Sequence, residues 1–198
     1  MRSWFFHPLI FYPLVAIVAA AAILISLRPQ FWVRDPAPAA AELSDGALVF
    51  EGNAFDTPQD APLRPFTVVR NFWGQPEALR VAIRVEAETP VGDPTPQENG
   101  VRILLTPADA ARINGRPATI EVSYRPLAIN TAQGLAVSLQ GGGPTTWVAS
   151  ATPPEPATVR IQVPPQSNIT AIGLRPIDPG VDRVYGIEIT RIRVIPNA

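Results

Sequence analysis

Between residues 46 and 196, apolar and polar side chains alternate in short runs that end in turn-forming residues. In one run, Leu79, Val81 and Ile83 alternate with Arg80 and Arg84. Side chains of a β-strand point alternately to opposite faces, so each run predicts a strand with one buried face. Clusters of Pro, Gly, Asn and Asp separate the runs and are typical of turns.

Nine or ten such strands indicate an all-β domain, because strands that hide only one face pack as two antiparallel sheets. The predicted strands cover residues 47–50, 67–72, 79–88, 101–106, 120–125, 135–140, 145–149, 158–163, 169–175 and 187–194. The fold class predicted is an antiparallel β-sandwich behind one N-terminal transmembrane helix. The shared phase of the runs predicts a single core that contains Ile83, Val85, Val122, Tyr124, Val137, Leu139, Ile161, Ile172, Leu174, Ile187 and Ile192.

The last strand changes phase. Ile187 and Ile189 alternate in one phase, whereas Ile192 and Val194 alternate in the other. A regular strand cannot place both pairs on one face. We therefore expect a β-bulge near Thr190, where one extra residue restores the phase, or a bend that carries the strand from one sheet to the other.

An uncharged segment precedes the domain. Residues 8–27 carry no charge, and a helix of this length spans about 30 Å, the thickness of the hydrocarbon layer of a bilayer. Aromatic residues flank it at 4–6 and 31–32, as in interfacial belts. A cleaved signal peptide is the alternative, since residues 19–22 are all alanine, but the apolar run continues beyond them.

These features predict three segments: a membrane anchor with its flanks at 1–33, a Pro/Ala-rich linker at 34–45 and a β-sandwich domain at 46–198. The predicted location is the inner (plasma) membrane, crossed once, with the domain in the periplasm or outside the cell. Basic residues lie on both sides of the apolar segment, so its N-terminal position favours this orientation more than charge does. All 16 basic residues are arginine, which is typical of GC-rich bacterial genomes.

Composition excludes several kinds of chemistry. The net charge of −1 gives no basic field for nucleic acid. The chain has no cysteine, and its single histidine, His7, precedes the apolar segment. Thiolate nucleophiles, cysteine metal sites and a histidine-based catalytic triad are therefore absent from the domain. We expect no enzyme activity, no cofactor and no metal site.

The order of the segments between Arg116 and Pro196 resembles the C-terminal half of a galactose-binding-like jelly roll of the carbohydrate-binding-module type. The similar pieces are GRPATIEVSYRPL, GLAVSLQGGGPTTWVAS, ATVRIQVPP, ITAIGLRP and YGIEITRIRVIP. The resemblance covers about 80 residues and implies a jelly-roll β-sandwich. It also implies a non-catalytic module that binds glycans on a sheet face or at loop tips. The chain departs from binding members in lacking an obvious row of exposed aromatic residues.

Five residues are candidates for ligand binding: Trp147, Trp73, Tyr185, Arg84 and Glu121. An aromatic ring can stack on the apolar face of a sugar, and Trp147 follows a glycine-rich turn. Arginine and glutamate on a polar strand face could bind a polar ligand. The alternative is that the tryptophans close the core and the charged side chains form solvated cross-strand ion pairs.

Two functions follow. In the first, the chain is a membrane-anchored, non-catalytic module that binds a glycan or envelope polymer. In the second, it is a structural or assembly subunit that contacts another membrane protein. Exposed aromatic residues along a groove would favour the first, and an exposed apolar patch would favour the second.

Overall fold

The computed structural model describes residues 8–26, 42–44, 46–56, 58–59, 66–84, 94–177 and 184–197. The chain forms two units, residues 1–35 and residues 36–198. The described elements are α1 (Pro8–Ser26), β1 (Glu42–Ser44), β2 (Ala47–Phe50), a 3₁₀ helix (Gly52–Asp56), β3 (Pro58–Gln59), β4 (Phe66–Arg70), β5 (Pro76–Arg84), β6 (Val101–Leu104), α2 (Pro107–Ile113), β7 (Ala118–Pro126), β8 (Gly134–Gln140), β9 (Val148–Ala151), β10 (Ala157–Val163), β11 (Ala171–Ile177) and β12 (Val184–Pro196).

The first unit contains α1, a 19-residue helix that carries no acidic or basic side chain in its terminal turns and includes Pro13. Its side chains from 11 to 20 are exposed. Within the part of the chain that the structure describes, no helix meets the length and apolarity needed to cross a membrane. The membrane anchor therefore stays a prediction.

The second unit contains two antiparallel sheets, which confirms the predicted fold class of the domain. One sheet, called sheet A, has seven described strands: β12 pairs with β7 on one side and with β5 and β2 on the other. Strand β10 extends it beyond β7, β4 beyond β5 and β1 beyond β2. The other sheet, called sheet B, has five strands in the order β3-β6-β11-β8-β9.

One hydrophobic core receives side chains from both sheets. Sheet A contributes Val122, Ile161 and Ile187, and sheet B contributes Val137 and Ile172, each at most 2% exposed. Of the predicted core residues, all that lie in the described part of the chain are buried. Val85 lies outside the described residues. The alternating pattern in the sequence therefore identifies the residues that form this core.

Strand β12 contains the predicted bulge. Its register against β7 shifts between Ile189 and Arg191, so Thr190 is the extra residue. The Thr190 hydroxyl donates to the Ser123 carbonyl at 3.1 Å. Ile187, Ile189, Ile192 and Val194 are all fully buried, because the bulge returns the second pair to the core face.

Sheet B is covered on its outer face, so β8 is buried on both sides. The segment 98–100 lies there. The Gln140 amide donates to the Asn99 carbonyl at 2.6 Å, and fully buried Arg175 forms an ion pair with Glu98 at 2.9 Å. Trp147 packs on Gly100, where an added Cβ would come 2.8 Å from its ring. These contacts fix the covering segment to the sheet.

Two short elements, β1 and α2, lie outside the strands that the sequence predicts. Strand β1 lies inside the segment 34–45 that was predicted to be a linker, and it pairs with β2. Gly46, at φ 78°, lies between the two strands in a conformation that glycine adopts without strain. Helix α2 follows β6 and spans seven residues. Thr106 caps it by accepting from the Asp109 amide at 3.1 Å.

Candidate functional site

Hydrogen bonds of Asn71 and Arg70 hold the loop between β4 and β5, residues 71–75. Asn71 Oδ1 accepts from the amides of Trp73 at 2.9 Å and Gln75 at 3.0 Å. The backbone of Asn71 also bonds Gly74 and Gln75, each at 2.9 Å. Arg70 closes the base by donating to the Gly74 carbonyl at 3.0 Å. The loop therefore has one defined conformation before any ligand binds.

Phe72 and Trp73 stand at the tip of this loop. Phe72 is 94% exposed and Trp73 is 81% exposed. Their rings meet edge to face, with centroids 5.3 Å apart and planes at 83°. We call this pair the aromatic tip. Leaving two large aromatic rings in water forgoes the free energy of their burial, so the tip is a candidate contact surface.

A cleft of about 360 Å³ opens beside the loop. It is lined by Val49, Glu51, Gly52, Asn53, Ala54, Gln75 and Pro76. Gln75 belongs to both the loop and the cleft wall, so the cleft adjoins the base of the loop. Its polar lining consists of two amides, Asn53 and Gln75, and one carboxylate, Glu51.

Two ion pairs form near the cleft. Arg191 Nε lies 3.1 Å from Glu51 Oε2. Arg70 forms an ion pair with Asp56. These side chains are all more than a third exposed, so the pairs add little stability.

The structure places the five predicted site residues in different regions. Trp73 is on the aromatic tip. Trp147 is half-buried on sheet B, where its indole N–H donates to the Glu98 carbonyl at 3.1 Å. Tyr185 is 2% exposed and belongs to the core. Arg84 ends β5, and its side chain lies outside the described part of the structure.

Glu121 lies on the outer face of sheet A between two arginines. Its Oε1 is 2.8 Å from Arg160 Nε, and its Oε2 accepts from Arg193 at 3.2 Å. Arg160 and Arg193 are its direct cross-strand neighbours. Arg80 pairs with Glu188 at 3.0 Å in the same way. This face therefore carries cross-strand ion pairs, as the alternative interpretation of the sequence expected.

Sequence reasoning missed most of the residues around Trp73. Phe72 was assigned to the end of a strand, and Asn71, Gln75 and Glu51 were given no role. The available signal was the sequence Asn-Phe-Trp-Gly at 71–74, in which Asn and Gly mark a turn around two aromatic residues. In the described residues no group of three His, Cys, Asp or Glu side chains could hold a metal ion.

Several solved structures are similar to this chain. They include the CBM1 of BiXyn10A without ligand, 10% identical over 61% of this chain and 74% of that chain, with a TM-score of 0.39. The CBM22-1–CBM22-2 tandem domain of Xyn10C from Paenibacillus barcinonensis is 16% identical over 82% of this chain, with a TM-score of 0.45. This chain covers 49% of that tandem, about half its length.

A cleaved adhesin domain of Lys-gingipain from Porphyromonas gingivalis is 11% identical, with a TM-score of 0.34, over 79% of this chain and 94% of that chain. No protein-family model matches the sequence, and no curated protein matches it. Two of these similar structures are carbohydrate-binding modules, the class that the sequence resemblance named.

Proposed function

We propose that this chain is a non-catalytic binding module that takes a glycan or envelope polymer at the aromatic tip and its cleft. The observation that supports this is the aromatic tip itself, two exposed rings on a loop that Asn71 holds in one conformation. A preformed loop loses little conformational entropy on binding, so more of the contact energy appears as affinity.

The chemistry of the site fits a sugar. A sugar ring has an apolar face, formed by its C–H groups, that stacks on an aromatic ring, and hydroxyls that both donate and accept hydrogen bonds. The tip supplies the rings, and the amides of Asn53 and Gln75 supply donors and acceptors beside them.

The test is binding of the full-length protein in detergent to an array of purified peptidoglycan, β-glucans and xylans. We expect Trp73→Ala to weaken binding roughly tenfold or more, because removing a central aromatic contact typically costs 2 kcal/mol or more. Its folding stability should change by less than about 0.5 kcal/mol, since the ring is exposed. Ile129→Ala, which removes another exposed apolar side chain, is the matched control. Equal binding by wild type and Trp73→Ala would contradict the proposal.

We further propose that α1 anchors the module in the inner membrane, with the domain in the periplasm or outside the cell. Two facts support this: residues 8–27 carry no charge, and residues 8–26 form one helix with exposed apolar side chains between 11 and 20. From the sequence, the 20 uncharged residues 8–27 would span about 30 Å as a helix, which is the hydrocarbon thickness of a bilayer. Such an anchor would hold the binding site near the cell envelope.

The aromatic tip also supports a second candidate function. Exposed tryptophan and phenylalanine are enriched at protein interfaces, so the tip could contact another membrane protein. In the described part of residues 46–197, the exposed large apolar side chains are Phe72, Trp73 and Ile129. Co-purification in mild detergent separates the two functions: a protein that accompanies wild type but not Trp73→Ala indicates assembly, and a glycan indicates binding.

A further inference from the structure

Buried polar side chains line the outer face of sheet B. Ser138, Gln140 and Arg175 are each at most 4% exposed. Gly173 leaves room for two of them, because a Cβ there would collide with the Gln140 amide and the Ser138 hydroxyl. Within the described part of the chain, the buried Oε1 of Gln140 accepts no hydrogen bond. A buried acceptor without a donor is costly, so its presence points to a ligand that supplies one.

Residues 95–99, which we call the strap, lie across this face and supply acceptors to it. Three main-chain carbonyls of the strap accept hydrogen bonds from residues on or beside sheet B: Pro96 from the Thr145 amide at 3.2 Å, Glu98 from the Trp147 indole at 3.1 Å and Asn99 from the Gln140 side chain at 2.6 Å. The Glu98 carboxylate also pairs with Arg175 at 2.9 Å. In these four contacts the sheet side supplies every donor, and the strap supplies three carbonyls and one carboxylate.

The strap is attached mainly by these polar contacts. None of residues 95–99 is buried, and none has a large apolar side chain. The nearest apolar contact is that of the next residue, Gly100, with the half-buried Trp147 ring. Lifting the strap would therefore bring polar groups into water and expose little hydrophobic surface. Segments held in this way open at a lower free energy than the core does.

We infer that the outer face of sheet B is a peptide-binding groove that the strap fills, and that an acidic segment of a partner protein can take the place of the strap. Such a segment repeats the acceptors of the strap: carbonyls for the donors of Thr145, Trp147 and Gln140, and a glutamate for Arg175. Its N–H groups are also donors of the kind that Gln140 Oε1 requires. The strap weakens binding of the partner, because only molecules with an open strap are competent to bind.

The experiment measures binding of a fluorescent peptide with the sequence of residues 94–100, PTPQENG, to the full-length protein in detergent. Glu98→Gln removes the charge that ties the strap to Arg175, and Glu155→Gln, which removes an exposed carboxylate elsewhere, is the matched control. A second peptide carries glutamine in place of its glutamate, and oligogalacturonate is the competing acidic glycan. Because Glu98→Gln removes one partner of a buried arginine, circular dichroism checks its fold, and hydrogen exchange of the Trp147 indole is measured in wild type.

We expect Glu98→Gln to bind the peptide at least about tenfold more tightly than wild type and Glu155→Gln do, because its strap is open more often. The glutamine peptide should bind at least about tenfold more weakly, since it offers Arg175 no charge. In wild type, the Trp147 indole should exchange at least about tenfold faster than the main-chain amides between β8 and β11. Equal peptide affinities in all three proteins, or indole exchange as slow as that of the sheet, would overturn the inference. Displacement of the peptide by oligogalacturonate would assign the groove to an acidic glycan and overturn it as well.

Discussion

Gly141 and Gly142 are neighbours in the turn after β8, but only the first is closely surrounded. A Cβ on Gly141 would lie 2.4 Å from the Ser167 carbonyl oxygen and 2.6 Å from that of Asn168, whereas a Cβ on Gly142 would meet nothing within 4 Å. We expect Gly141→Ala to lower the free energy of unfolding by about 1–3 kcal/mol, as overpacking does. Gly142→Ala should stay within about 0.5 kcal/mol of wild type. Urea unfolding followed by circular dichroism measures both, and equal effects would show that the turn is loose.

Ionisation of Tyr124 should make the folding stability of the domain decrease at alkaline pH. Burial raises the pKa of this phenol above its ordinary value of 10.0. Its hydroxyl donates to the Pro153 carbonyl at 2.9 Å. Because the unfolded phenol ionises first, the stabilisation is complete below pH about 10 and is lost as pH rises above that value.

We therefore expect the free energy of unfolding of wild type to fall as pH rises above about 10, and that of Tyr124→Phe to fall less. The variant should lose about 1 kcal/mol at pH 8, where only the hydrogen bond is missing. Unfolding midpoints across this pH range measure both effects. Parallel profiles for the two proteins would assign the alkaline loss to other groups.

In strand β12, the inserted residue Thr190 sets which side chains face the core. Deleting Thr190 would turn Ile192 and Val194 toward solvent, or Arg191 and Arg193 toward the core. Exposing two aliphatic side chains forfeits about 1.5–3 kcal/mol each, so we expect a loss of 3 kcal/mol or more and broad, non-cooperative unfolding. Thr190→Ala keeps the register and removes one hydrogen bond, which should cost about 1 kcal/mol. Similar unfolding curves for the deletion and the substitution would contradict this role of the bulge.

The elements also show where sequence reasoning succeeds and fails. Strand β7 alternates buried and half-buried residues, so its period of two could be predicted from sequence. Strand β8 is buried on both faces, and on its outer face Gln140 contacts Asn99. Burial of this outer face could not be predicted from the alternation of residues within β8, because it depends on a segment about 40 residues away in sequence. The turn at 71–75 was missed because the β-forming Phe72 favoured a strand, whereas the Asn71 side chain captures two amides and ends it.

The candidate site was predictable only in part for the same reason. Trp73 could be singled out by residue type, but its exposure depends on the loop that Asn71 closes. Tyr185 and Trp73 are both aromatic residues next to a glycine, yet one is in the core and the other is in solvent. The cleft joins residues 49–54 to residues 75–76, a proximity that only the folded sheet creates.

For the whole molecule, the prediction to test is the membrane topology, that is, the side of the membrane on which the domain lies. We expect alkaline phosphatase fused to the C-terminus to be active in a bacterial host and green fluorescent protein fused there to be dark, because phosphatase requires export and the fluorescent protein folds poorly after it. A matched pair of fusions lacking residues 1–33 should reverse the result. A fluorescent fusion of the full chain without phosphatase activity would place the domain in the cytoplasm.

The central place of β12 in sheet A also sets the order of events during synthesis. Its partners β2, β5 and β7 are made first, but none of them can complete its pairing until residues 184–196 have left the ribosome. At about 5–20 residues per second, translation leaves these strands with open edges for several seconds. Sheet A therefore cannot close until synthesis has passed the end of β12.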